Sequence, residues 1–198
     1  MSQQQLVQVD NVLQEMQVQN VIKNRKINLA EEVTRESIFK CIYYLEKLEK
    51  MDILQNILMK DRKPIEIVID SYGGEIWHGN ALISIILSMR DKGYKIITTV
   101  NSIACSMGFT ILVVGSKRRA LRYSTMLCHQ PSGGTYGTLQ AINENTNELN
   151  RLWEIFKDII QEHTNISEER LEEMKRCKED WILNPKQALE LGVIDEII

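Results

Sequence analysis

Residues 63–100 constrain the fold more than any other part of the chain. "KPIEIVID" alternates and is rich in β-branched residues, as a strand does. It runs into the turn signal "SYGG" and then into "EIWHGNALISIILSMR", whose Ile76, Leu82, Ile83, Ile86 and Leu87 fall largely on one helical face. "YKIITTV" follows as a second β-branched strand. Strand, helix and strand in that order make a βαβ unit, which demands a parallel sheet with a right-handed crossover. The expected class is therefore α/β.

Flanking segments extend this reading. "KINLAEEV" predicts a short strand running into a turn, and "TRESIFKCIYYLEKLEKMDI" a helix with Thr34 near its start. After "SIACSMG" an apolar helix is expected, then a short strand through "STMLCHQ" and a glycine-bearing connection, "PSGGTYG". Apolar residues from Leu139 to Ile160 recur at three- and four-residue steps, predicting a long helix over about 138–163. That stripe is long for a helix covering only its own domain, so part of it is expected to meet another subunit. In "NPKQALELG", Asn184 suits an N-cap, Pro185 the first helical position, Gln187 a capping box and Gly192 a left-handed C-terminal cap.

Composition narrows the function classes. The 198 residues suffice for one domain with a substantial core. Net charge is 24 − 27 = −3, which argues against a broad footprint for nucleic acid or an anionic membrane. The "KRRALR" cluster, Lys117 to Arg122, reads as a solvated loop face. No apolar run reaches the roughly 18–20 residues that span a bilayer. "MSQQQLVQVD" lacks the regions of a secretory signal, so a cytoplasmic location is expected. Cys41, Cys105, Cys128 and Cys177 form no close metal-ligand pair, and His78, His129 and His163 are isolated, so no metal or other cofactor is expected. Residues 1–24 are glutamine-rich with scattered Leu, Val and Met, and read as a weakly ordered segment or one needing a partner surface. Residues 25–198 read as the domain.

Candidate chemistry centres on Ser106 in "SIACSMG". A serine hydroxyl needs a base within reach, a group orienting that base, and donors for the developing oxyanion. A-C-S-M-G has the form of a G-x-S-x-G nucleophile elbow with Ala104 at the first glycine. The same residues also suit a serine buried in a small-residue seam. Two further signals favour chemistry. The glycines of "SYGG" follow a parallel strand and let the backbone approach a ligand, and His129 in "MLCHQP" ends a strand beside a glycine-rich loop. The residues alone single out no orienting acid.

Together, "SYGG", "IACSMGF", "MLCHQPSGGTYG", "EHTN" and "DWILNPKQALELGVID" resemble the proteolytic subunit of the Clp protease, ClpP, collinearly from about Lys26 to Asp195. The resemblance implies a ClpP/crotonase-like fold of repeated β-β-α units with a parallel sheet and a protruding strand–helix handle at about 130–163. It implies Ser106 as nucleophile, His129 as general base and Asp180 as orienting acid, with Asp180 preferred to Glu179 by register with the A-x-E-x-G-x-x-D tail. Backbone N–H groups of Gly74 and Met107 would form the oxyanion hole. It further implies two stacked heptamers enclosing a chamber, axial pores lined by N-terminal segments, and polypeptide substrates fed by a hexameric AAA+ Clp ATPase. ATP would be used by that partner, not by this chain.

The match departs from the family at Tyr72, where the family has proline, and at Glu66 and Val68, where aromatic residues usually form the ATPase docking pocket. The N-terminal segment is also unlike the usual axial loop. These departures suggest a divergent member, phage-encoded or a second paralogue. Three other readings share the scaffold. They are a catalytically silent ring subunit, a crotonase-type enzyme acting on acyl-CoA, and a phage head-maturation protease.

Overall fold

The computed structural model describes residues 3–198, with side chains at positions 12 and 13 and from 15 onward. The sheet is built on β2 (Ile65–Ser71) and β3 (Ile96–Cys105), which pair in parallel. On one side β1 (Lys26–Leu29) adds in parallel to β2. On the other, the two halves of β3 carry different partners. Ile97–Val100 pairs with β4 (Lys117–Ala120), and Ile103–Cys105 pairs with β5 (Thr125–Cys128). A two-residue β7 (Glu196–Ile197) closes the edge beside β4, and β6 (Trp181–Leu183) pairs with β5 antiparallel. A mostly parallel sheet needs both faces covered, and β2 shows it: Ile65, Ile67, Val68, Ile69 and Ser71 are all buried.

Helices α2 (Arg35–Leu54) and α3 (Ile76–Asp91) supply much of that cover. Thr34 caps α2 in a box with Ser37, each side chain answering the other's backbone N–H. Its Ile38, Cys41, Leu45 and Leu48, three and four residues apart, go into the core. In its last turn Asp52 takes a paired contact from Arg25, at 2.8 Å for both guanidinium nitrogens, so this buried carboxylate is compensated. Helix α7 (Pro185–Glu190) has the Asn184–Gln187 capping box and Pro185 at its start, and Gly192 follows at φ +66°.

Several stretches differ from the sequence reading. "KRRALR", expected to be a solvated loop face, supplies β4. Its charges are tolerated in a strand because β7 offers carboxylates beside them. Lys117 and Arg119 face Glu196 at 2.6 and 3.5 Å, while Arg118 binds Asp195 and the carbonyls of His163 and Gly192. Residues 129–137 form no ladder among the described residues. A strand there would need neighbouring backbone that one chain does not offer. The long helix α5 (Leu139–His163) follows, capped by Thr138. Its Leu139 and Ile142 are exposed, whereas Leu152, Trp153, Phe156 and Ile160 are buried. Helix α6 (Glu168–Cys177), with no counterpart in the sequence reading, packs against α5.

The glutamine-rich segment runs as α1 (Gln3–Asn24), and positions 1 and 2 lie outside the described residues. Val12, Leu13 and Met16 are exposed, while Val18 and Val21 meet the core.

Candidate active site

β3 ends at Cys105, and the chain turns at once into α4 (Met107–Val113). Ser106 is the single residue of that turn, at φ +54° and ψ −119°. A non-glycine residue reaches such a conformation only where the surroundings impose it. Here they do so from both sides. Ser106 N–H donates to Leu127 O at 2.9 Å, continuing the β3–β5 ladder, and Thr110 N–H donates to Ser106 O at 3.1 Å as the first turn of α4. Every residue of α4 is buried, so its axis cannot shift to relax the turn.

The same ladders place the other two candidates. Cys105 is in register with Leu127 and Cys128 with Trp181. His129 and Asp180 therefore leave the sheet side by side, at the end where Ser106 turns. His129 Nδ1 lies 3.9 Å from Asp180 Oδ1. That is an approach and not a closed hydrogen bond, and Asp180 is 72% exposed where His129 is 25%. Glu179, the neighbouring carboxylate, is committed elsewhere: Arg170 binds it at 2.8 Å while stacking on Trp181. The Arg170 hydrogen bond holds the Glu179 carboxyl below its usual range.

Opposite the elbow, the turn after β2 comes within contact. A Cβ on Gly73 would stand 2.6 Å from Ser106 Cβ and 2.7 Å from Cys105 O, so only glycine fits there. Gly74 is held from its far side by Val33, whose N–H donates to Gly73 O and whose O accepts from Glu75, both at 2.7 Å. That bridge leaves the Gly74 N–H turned away from Val33. Met107 is the first residue of α4, so its N–H is one of the donors a helix start leaves without an internal partner.

The two cysteines beside these residues are packing groups. Cys128 is fully buried on the face opposite His129, and burial pushes its thiol up. Burial, with the Asp180 carboxylate nearby, likewise raises Cys105, which keeps that thiol protonated beside Ser106.

A model of the Clp protease family matches residues 10–198. The chain belongs to the Clp protease family. It is 30% identical over 151 residues to the ATP-dependent Clp protease proteolytic subunit of Deinococcus radiodurans, covering 74% of this chain and 72% of that one. Its sequence and its largely parallel α/β sheet are those of a ClpP-type protease.

Several site features of this family member lie outside what the sequence reading singled out. Ser106 and His129 line one pocket with Ile76, Asn80, Thr110 and Pro131, closed by Leu152 and Phe156 of α5. Ile76 and Asn80 share a helical face in the sequence, but nothing there says what that face meets. Leu152 and Phe156 appear in the sequence only as members of an apolar stripe. Tyr72 is 78% exposed and does not line the pocket. At the other departures from the family pattern, Glu66 accepts from Thr99 Oγ1 at 2.7 Å and Val68 is buried. No described helix is long and apolar enough to cross a membrane.

Proposed function

We propose that this chain is a serine endopeptidase using Ser106, His129 and Asp180. The observation that carries the reading is the strained Ser106 turn sharing one pocket with His129, which itself lies beside Asp180. In this reading Ser106 Oγ attacks the scissile carbonyl and gives its proton to His129. The carbonyl oxygen becomes an oxyanion facing the N–H groups of Gly74 and Met107. His129 then protonates the leaving amine as the C–N bond breaks, and water, deprotonated by the same imidazole, hydrolyses the acyl-enzyme. Asp180 holds the imidazole in the tautomer that accepts at the nitrogen facing Ser106.

The name of the Deinococcus relative, an ATP-dependent Clp protease proteolytic subunit, supports the wider reading. The chain assembles as two stacked heptamers around a chamber, receives unfolded polypeptides from an AAA+ ATPase and carries no nucleotide itself. We further propose that it works in the cytoplasm. The exposed Leu139, Ile142 and Tyr136 at the start of α5 and in the connection before it give the rings a surface to share. Residues 1–24 would line the axial pore and 25–198 form the protease domain.

One observation keeps the silent-subunit reading in play: the 3.9 Å separation of His129 and Asp180. A fluorophosphonate probe separates the two. Labelling of Ser106 that disappears in His129→Ala supports the protease. An intact ring that forms no adduct at any probe concentration overturns it in favour of the silent subunit.

A further inference from the structure

Resting on the protease reading, we infer that Asn80 sets the cleavage specificity. It selects, at the acyl side of the scissile bond, a side chain with an apolar stem and a neutral hydrogen-bonding tip, glutamine above all. A carbonyl bonded to Ser106 Oγ, with its oxygen toward Gly74 and Met107, carries its Cα at the mouth of the pocket that Ser106 lines. The side chain on that Cα has this pocket to enter. Its walls are apolar: Ile76, Pro131, Leu152 and Phe156. They reward the burial of a hydrocarbon stem. Among the described residues, no Lys, Arg, Asp or Glu lines it. A charged side chain would therefore lose its hydration without gaining a partner.

Beyond Ser106 and His129, two of the described lining residues carry polar side chains, and they are not equivalent. Thr110 is buried and its hydroxyl donates to Ser106 O at 3.3 Å, so its proton is spent on the elbow. The Asn80 side chain is half-buried and makes no hydrogen bond among the described residues. It stands one turn beyond Ile76 on α3, and its backbone O accepts from Ser84 Oγ at 2.8 Å, which ties down the backbone and leaves the carboxamide available. A carboxamide offers two donors and an acceptor. A glutamine side chain meets both kinds at once. A leucine of similar size would strip water from the carboxamide and return nothing, a cost that a pocket uses to reject it.

The test uses two peptidyl phosphonates, identical except for glutamine or leucine as the residue that becomes attached to serine. Adduct formation at Ser106 is followed by intact mass and peptide mapping, on the wild-type chain and on Asn80→Leu. Wild type should react about 10-fold faster with the glutamine probe, the worth of roughly one net hydrogen bond. Asn80→Leu should reverse the order and Asn80→Gln should keep it, while a small alkyl fluorophosphonate still labels Ser106 in both variants, as a disrupted site would not allow. If both peptidyl probes label Ser106 and the ratio is unchanged by Asn80→Leu, the inference falls and the protease reading stands. If neither these probes nor the alkyl fluorophosphonate labels Ser106 in wild type, both fall together.

Discussion

At the scale of single residues, the site is a set of backbone demands more than a set of side chains. Ser106 at φ +54° is strained, and relief of that strain is separable from loss of the hydroxyl. Ser106→Gly should fold more stably than Ser106→Ala by about 1 kcal/mol, although neither can be labelled. Denaturant melts of the two variants check this, and equal midpoints would show that the turn is not strained. Gly73 makes the complementary case. At φ +97°, with Ser106 Cβ 2.6 Å from where its own Cβ would stand, Gly73→Ala should push the elbow aside. Phosphonate labelling of Ser106 should slow about 10²-fold or more, as displacements near 1 Å do to a reacting pair. A labelling rate within a factor of a few of wild type would refute the close approach. "SYGG" and "ACSMG" were legible as separate turn signals, but their mutual contact was not, since 32 positions of chain separate Gly74 from Ser106.

Among the elements, α5 and α6 show how charge docks one helix on another. Lys157, half-way along the packed part of α5, lies 2.9, 3.0 and 3.1 Å from Glu154, Glu168 and Glu172. Glu172 also accepts from Trp153 Nε1 at 3.1 Å, and the Trp153 bond, with that from Lys157, holds its carboxyl below the usual range. A carboxyl depressed in the folded state binds fewer protons there than when unfolded. It therefore stabilises the fold above the ordinary carboxylate range, and this is lost as pH falls below that range and through the depressed folded value. Thermal melts should show a smaller drop between neutral pH and about pH 3 in Glu172→Gln than in wild type. An equal drop would mean that the acid sensitivity lies elsewhere. Periodicity announced α5 and left α6 unread, because "EERLEEMKRC" carries few apolar residues to mark a buried face. Its Leu171 and Met174 suffice for burial, since they meet α5 where the Lys157 cluster already holds the two together.

For the whole molecule, apolar surface remains that one chain does not cover. Tyr136 in the connection before α5, and Leu139 and Ile142 at its start, are exposed, beside a segment with no strand partner among the described residues. Native mass spectrometry should find fourteen copies for wild type. Leu139→Glu with Ile142→Glu should yield seven, because charge on a shared apolar face separates rings without touching the contacts within each. A wild-type monomer under the same conditions would overturn the assembly.

Local signals carried the reading wherever a physical cause acts over a few residues. The βαβ order, the caps at Thr34 and Asn184, the left-handed Gly192 and the elbow around Ser106 are all of that kind. Resemblance added the pairing of His129 with Asp180, which no local rule selects from among the carboxylates. Only the tertiary structure decided which of two adjacent acids is free, because Arg170 occupies Glu179 from another helix. It also turned a basic cluster into β4 by setting Glu196 beside it, and enclosed Asn80 with Leu152 and Phe156 in the pocket of Ser106. These outcomes depend on contacts between residues far apart in the chain. A strand's tolerance for charge, a carboxylate's freedom and a pocket's polarity are properties of neighbours, and neighbours are settled by packing.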